Sequence, residues 1–376
     1  MQRRAQAGTH VRPVAAAAAE ALVDADRRRG RGARSNVSGR FETLSREEAD
    51  DGWDSLGQLE AFKTRVQIEP AKTIISTNQS PDISFDRSIN PYRGCEHGCV
   101  YCYARPTHAY MGLSPGLDFE TRLFAKTNAA TLLRAELSAP RYQVEPIALG
   151  ANTDPYQPIE KRYAITRQVL EVLEETGHPV TIVTKSALVV RDIDILRRMA
   201  ERGLVKVALS VTTLDRDLAR RMEPRASAPP RRIGAIRLLS QAGIRTGVIV
   251  APIVPALNDS EIERILGACR DAGAEEAGYV VLRLPLEIKE LFREWLMTEF
   301  PDRAQRVINI LRSMHGGKDY MAEWGVRQRG TGPYAEQIGA RFRLALKRLG
   351  LNERRLALRT DLFQPPVASG QQMRLL

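Results

Sequence analysis

The sequence predicts an α/β fold built on a parallel sheet, and three observations carry that reading. From about residue 72, short apolar runs alternate with stretches whose apolar residues recur at three- and four-residue steps, the pattern of repeated βα units. The alternation holds for about two hundred residues and yields six strands, short of the eight of a closed barrel. No internal repeat of solenoid type is present.

The first predicted strand, 88–90, leads into a cysteine-rich loop, and further strands follow at 146–150, 180–184, 205–211, 247–251 and 279–284. Between them, 164–173 and 193–199 carry apolar stripes of helical period, which mark core-facing surfaces. After the last strand, helices are predicted at 289–299 and 304–314, then a basic Gly-rich stretch at 324–334 and an arginine-rich helix at 335–349. The Phe-Gln-Pro-Pro segment at 363–366 cannot continue a helix. The chain thus divides into a tail at 1–55, a barrel unit at 56–285 and a helical extension at 286–376 that covers the open side of the barrel. The tail is polar, basic and short of large apolar side chains, with Arg27-Arg-Arg-Gly-Arg-Gly-Ala-Arg34 at its centre, and is expected to be disordered.

Composition narrows the class. A hydrophobic fraction of 43% over 376 residues can bury a large core, and no apolar run approaches a membrane span, so a membrane protein is excluded. The alanines at 15–19 are followed by Glu20, Asp24, Asp26 and a run of arginines, which is not the order of a secretory signal. Three clustered cysteines and a lone fourth make no disulfide framework, and the expected location is the cytoplasm. The net charge of +11, from 56 Lys and Arg against 45 Asp and Glu, invites nucleic acid or another polyanion as a partner. It equally fits arginines spread along solvated helix faces.

The segment Cys95-Glu-His-Gly-Cys99-Val-Tyr-Cys102 holds three of the four cysteines. A Cys-x3-Cys-x2-Cys spacing lets three thiolates converge on one soft metal centre. A closed zinc site wants a fourth ligand, but Cys269 is remote, His97 sits between two ligand cysteines, and His108 follows a Pro-Thr turn. A [4Fe–4S] cluster on three cysteines instead leaves one iron open to a cofactor. An ordinary reduced thiol loop is the third reading.

This pattern, with Tyr101 before the last cysteine, resembles the signature of the radical S-adenosylmethionine (SAM) enzymes. The flanks Ser88-Ile-Asn-Pro-Tyr-Arg-Gly-Cys95 and Tyr101-Cys-Tyr-Ala-Arg105 resemble the spore photoproduct lyase-like branch, whose members are often labelled DNA repair photolyases. The similarity runs from about residue 85 to about 285, and motifs near both ends of the chain are similar to those of one uncharacterised bacterial subgroup. The resemblance implies a partial (β/α)6 barrel of TIM type and a [4Fe–4S] cluster on Cys95, Cys99 and Cys102. It also implies S-adenosyl-L-methionine at the open iron, cleaved reductively to a 5′-deoxyadenosyl radical, and an electron donor of flavodoxin or ferredoxin type. The substrate is expected to be nucleic acid. The alternative is a radical SAM enzyme modifying a protein or small molecule, and the outsider is a zinc-binding nucleic-acid protein without catalysis.

Parallel βα architectures place their chemistry at the carboxyl ends of the strands. The second strand ends in Asn152-Thr153-Asp154, where the family has a Gly-rich acidic turn for the methionine amino group; Asp154 is the candidate acceptor, although the segment departs from Gly-Gly-Glu. The third ends in Lys185 and Ser186, a cation beside a hydroxyl, suited to a carboxylate or ribose or to a plain helix cap. Ser210 and Thr212 share one face of the fourth strand, at the family's position for ribose and carboxylate contacts. Glu223-Pro-Arg225 resembles a segment of the branch and stands as a cofactor contact, a loop brace or a surface ion pair. In the family the aromatic at Tyr101 lies near adenine, as does the segment 251–260; Tyr101 also fits a core place under the cysteine loop, as Tyr92, Tyr103 and Tyr110 fit the core, and the two prolines of 251–260 make a bend, with Asn258 in it, that reads as scaffold. The branch's lyase uses a hydrogen-donating cysteine after the second strand, and 150–154 contains none. Cys269 falls on an apolar helical stripe as a buried structural thiol.

Overall fold

A computed structural model describes residues 22–42, 60–354 and 357–366. The strands are β1 (Arg65–Ile68), β2 (Ile75–Thr77), β3 (Arg87–Ile89), β4 (Tyr92–Arg93), β5 (Arg122–Ala125), β6 (Ile147–Leu149), β7 (Val180–Thr184), β8 (Val205–Ser210), β9 (Thr246–Ile253) and β10 (Glu276–Val281). The longer helices are α1 (Ala129–Leu137), α2 (Ile165–Glu175), α3 (Ile193–Glu201), α4 (Arg216–Met222), α5 (Pro229–Gln241), α6 (Ile262–Asp271), α7 (Ile288–Glu299), α8 (Pro301–Met314) and α9 (Gly332–Leu349). The strands β3, β6, β7, β8, β9 and β10 lie side by side in that order, all parallel, with β2 antiparallel outside β3. This is the expected six-stranded partial barrel, and the sheet does not close among the described residues. The small sheet β1-β5-β4 was not anticipated.

β-Branched runs place the strands. In β7, Val180, Ile182 and Thr184 alternate inward, as do Val205, Val207 and Leu209 in β8. Leu170 and Leu173 of α2, Leu196 and Met199 of α3, and Leu239 of α5 are fully buried in the same core. Each such side chain stabilises the fold by about 1.5–3 kcal/mol. The strand expected at 279–284 begins three residues earlier, because its polar start is anchored: Lys206 Nζ and Arg245 Nε lie 2.9 and 3.1 Å from Glu276 Oε1. An apolar pattern does not register such a residue. Helices α8 and α9 also start earlier than expected, each with proline in its first turn.

The Gly-rich segment 324–330 bridges the two edges of the open sheet. Gln328 O accepts the Val281 amide of β10 at 2.8 Å. At the other edge, in the connection from β2 to β3, Asp82 accepts the Gly325 amide at 2.7 Å and pairs with the Arg327 guanidinium, which also holds Ser80. The extension then packs outside β10, with Phe342 of α9 stacked 4.6 Å from Tyr279.

The expectation of a disordered tail is corrected for 22–42. Val23, Arg31, Ala33 and Ser35 are buried, and Val23 and Ala33 share a small cluster with Leu117 and Leu291. The disorder argument counted apolar side chains, whereas this segment is held by amides and guanidinium groups on the carboxylates of Glu120, Glu287 and Glu299. Its remaining parts, 1–21 and 43–55, lie outside the described residues. No helix among the described residues is long and apolar enough to cross a membrane.

Candidate active site

The cysteine loop follows β4, beyond the carboxyl end of β3, and the framework fixes it at several points. The Cys95 amide donates to Phe119 O at 3.0 Å and the Cys102 amide to Cys99 O at 3.2 Å. Gln157 clamps the entry, accepting the Glu96 amide at 2.9 Å and donating to Gly94 O at 3.1 Å. Arg105, wholly buried, donates from Nε to Cys99 O at 2.9 Å. Cys95 and Cys99 are buried and Cys102 partly so. Burial pushes all three thiols above their ordinary pKa, and for Cys95 the charges of Asp154, Cys99 and Cys102 add to it. Three thiols within electrostatic reach of one another ionise together only against a compensating cation, which is what a metal centre supplies.

The side chains nearest to completing a closed zinc set are turned elsewhere. His97 Nδ1 lies 3.3 Å from Asp154, and His108 Nε2 is bonded to Arg122 O at 2.9 Å. Cys269 is fully buried on α6, where burial raises its pKa to about 12. Among the described residues no three His, Cys, Asp or Glu groups are gathered as around one ion. Three thiols on one loop are nonetheless a donor set that an iron–sulfur cluster takes.

The candidate cofactor residues fall into two groups. Thr153, Asp154, Ser186, Glu223 and Arg225, all expected to contact the cofactor, have their polar groups engaged by protein. Asp154 accepts from the Thr184 hydroxyl at 2.7 Å, the Lys185 amide at 2.8 Å, the Tyr156 amide at 2.9 Å and His97. Burial would raise its pKa, but His97 and these donors hold it at about 2. These contacts occupy the lone pairs of the carboxylate and tie it to the cysteine loop through His97. The Thr153 hydroxyl donates to Tyr92 O at 2.9 Å, and Ser186 caps the turn after β7 by accepting the Leu188 amide at 3.2 Å. Arg225 pairs with Glu96 at 3.1 Å, while its amide donates to His97 O at 3.2 Å. Glu223 is buried between the Tyr101 hydroxyl, Thr212 Oγ1 at 2.6 Å and the Arg232 guanidinium. Burial opposes its ionisation, yet Arg232 and Lys185 bring its pKa below the ordinary value.

The second group is Lys185, Ser210, Asn152, Thr212 and Tyr101, of which Ser210 donates to Ala251 O at 3.1 Å and Thr212 and Tyr101 are tied to Glu223. Lys185 Nζ donates to Ser210 Oγ at 2.9 Å and stands 5.8 Å from the centroid of the Tyr101 ring, with ammonium protons to spare. The Asn152 amide donates to Asn90 Oδ1 at 3.0 Å, and its half-buried side chain stands at the end of β6. Tyr92 is core, as expected; Tyr103 and Tyr110, also read as core, are exposed, Tyr103 with its hydroxyl on Ala151 O and its ring under Arg283, and Tyr110 against Phe41.

Sequence reasoning missed Arg232 and Glu120. Arg232 of α5 is 1% exposed and holds Ser210 O, Ser227 O and Glu223, yet in sequence it is one of many helical arginines. Asn258, noted only within a bend, ties Thr212 O to Pro252 O at 2.8 and 3.0 Å.

The radical SAM superfamily model matches residues 89–269. An uncharacterised protein of Mycobacterium tuberculosis is 38% identical over 232 residues, 61% of this chain and 68% of that protein. One from Methanocaldococcus jannaschii is 26% identical over 239 residues, 64% and 85% of the two chains. Among solved structures, spore photoproduct lyase complexed with dinucleoside spore photoproduct has a TM-score of 0.55 at 16% identity, covering 76% of this chain and 80% of its own. That likeness is one of fold. With the matched span running from β3 through α6 and enclosing all three loop cysteines, the chain belongs to the radical SAM superfamily and is an enzyme of that class.

Proposed function

We propose that the chain holds a [4Fe–4S] cluster on Cys95, Cys99 and Cys102, binds S-adenosylmethionine beside it, and cleaves that cofactor reductively to a 5′-deoxyadenosyl radical that acts on a nucleic-acid substrate. The observation that carries the reading is the loop itself: three cysteines at a Cys-x3-Cys-x2-Cys spacing beyond the first parallel strand, with both nearby histidines bonded elsewhere. When bound, the cluster supplies a low-potential electron and an open iron. The chain's own residues supply position and charge. The uncommitted protons of Lys185 suit the cofactor's carboxylate, with Ser210, Thr212 and Asn152 beside it for ribose and amino contacts. Tyr101, fixed by Glu223, forms an apolar wall under the loop. Asp154, Thr153, Ser186, Glu223 and Arg225 hold that frame still. An electron carrier of flavodoxin or ferredoxin type and a cytoplasmic location complete the proposal, with 56–285 as the catalytic unit and 286–376 as its cover.

Anaerobically reconstituted protein, reduced and given S-adenosylmethionine, is expected to release 5′-deoxyadenosine or form a covalent adenosyl product. Absence of both from protein with an intact, reducible cluster would sink the enzymatic reading. The solved lyase with a dinucleoside lesion supports a nucleic-acid substrate, as does the net charge. Binding to single-stranded DNA should then weaken steeply with salt. Repair by the lyase's own route is not expected, because 150–154 offers no cysteine and Cys269 is sealed in the core. A protein or small-molecule substrate has its own observation: Arg105, Arg167, Arg191 and Arg232 neutralise internal carboxylates and so add nothing to a phosphate-binding surface.

A further inference from the structure

The packed part of the tail reaches the cysteine loop by two chains of hydrogen bonds. The Gly32 and Ala33 amides donate to the two oxygens of Glu120 at 2.9 and 2.8 Å. Glu120 pairs at 2.5 Å with Arg105, which donates to Cys99 O, and both charged side chains are fully buried. By the second chain, Arg31 Nη2 donates to Thr64 Oγ1 at 3.0 Å, and that hydroxyl donates at 2.6 Å to Glu96, the residue after Cys95. The contact is also steric. A Cβ on Gly32 would stand 1.7 Å from Gly98 O, between two ligand cysteines, and one on Gly98 would stand 2.7 Å from Glu120 Oε2.

We propose that residues 31–33 form a strap that positions the cysteine loop and shields its outer face, with Glu120 and Arg105 as the positioning residues that transmit the contact. A buried carboxylate holding two strap amides and the guanidinium behind Cys99 couples the two segments: the strap closes fully only on a correctly set loop. Coupling of this kind is reciprocal. If the strap favours the cluster-loaded loop, cluster loading must favour the closed strap by the same factor.

The inference rests on the cluster reading, and the experiment keeps the two apart. In the full-length wild type, amide hydrogen exchange at Gly32 and Ala33 is measured with and without reconstituted iron and sulfide. Protection is expected to rise about tenfold or more on loading. In parallel, Gly32→Ala and Glu120→Gln are compared with Gly234→Ala, where an added methyl meets nothing within 4 Å. Both strap variants are expected to lose cluster absorbance in air about tenfold faster than the control and to gain tryptic cleavage at 27–31. Equal protection in loaded and unloaded wild type would overturn the proposal even if neither variant folds. So would a variant whose opened strap leaves bleaching and the cluster's reduction potential unchanged. Wild type that takes up no iron would instead defeat the cluster reading.

Discussion

Arg327 binds Asp82 across the gap between the last and first parallel strands of the sheet. Six βα units cannot close a barrel by strand pairing, so β10 and the β2–β3 side would leave a slot. The pair, with Gly325 on the same carboxylate and Gln328 on β10, turns a Gly-rich loop into a clasp over that slot. Asp82→Ala is expected to lower stability by about 2 kcal/mol, the scale of a charge-assisted contact with little exposure. Urea unfolding measures the loss, and faster exchange of the Val281 amide would locate it. An unchanged Val281 would show that the clasp does not hold the β10 edge.

Single alanine variants at Cys95, Cys99 and Cys102 are each expected to abolish stable iron binding, and Cys269→Ala to leave it intact. Iron and sulfide analysis of anaerobically purified protein decides the matter. Full loading of Cys99→Ala would refute the ligand assignment. The Cys269 variant should cost no more than about 1–2 kcal/mol, as a small cavity in an aliphatic helix face.

Glu223→Ala removes the partner of a guanidinium that is 1% exposed. An uncompensated buried charge costs about 3–5 kcal/mol, and Thr212 and Tyr101 lose their acceptor as well. Chemical denaturation should show a loss of that order. The double variant Glu223→Leu with Arg232→Leu should recover much of it, since neither charge is then left alone. A loss below about 1 kcal/mol for Glu223→Ala would mean that water enters the site.

His108 gives a pH dependence with a definite sign. Burial lowers its pKa from the ordinary 6.5 to about 4, and its Nδ1 has no hydrogen-bond partner among the described residues. Between those values the unfolded chain holds the proton and the folded chain does not, so stability is complete above about pH 6.5 and falls as pH drops toward 4. The contribution at stake is about 3 kcal/mol. His108→Gln should flatten that part of the stability profile; an unaltered slope would show that the imidazole protonates without disturbing the fold.

The sequence by itself determined the parallel βα fold and the motif that marks the family. β-Branched runs at β7 and β8 and the helical stripes between strands are local signals, and the spacing of Cys95, Cys99 and Cys102 is a property of eight consecutive residues. Tertiary structure decided which polar residues remain available. Asp154 and Glu223 read from the sequence as cofactor contacts, and the fold gives each its protein partners: His97, Thr184 and Lys185 around Asp154, and Arg232 of α5 against Glu223. It also turned an arginine-rich tail into a strap, because Glu120, 87 residues further along the chain, offers a carboxylate to the amide of Ala33. Hydrophobic periodicity is written in neighbouring residues, whereas the partner of a buried charge is chosen by contacts that form only when distant segments meet.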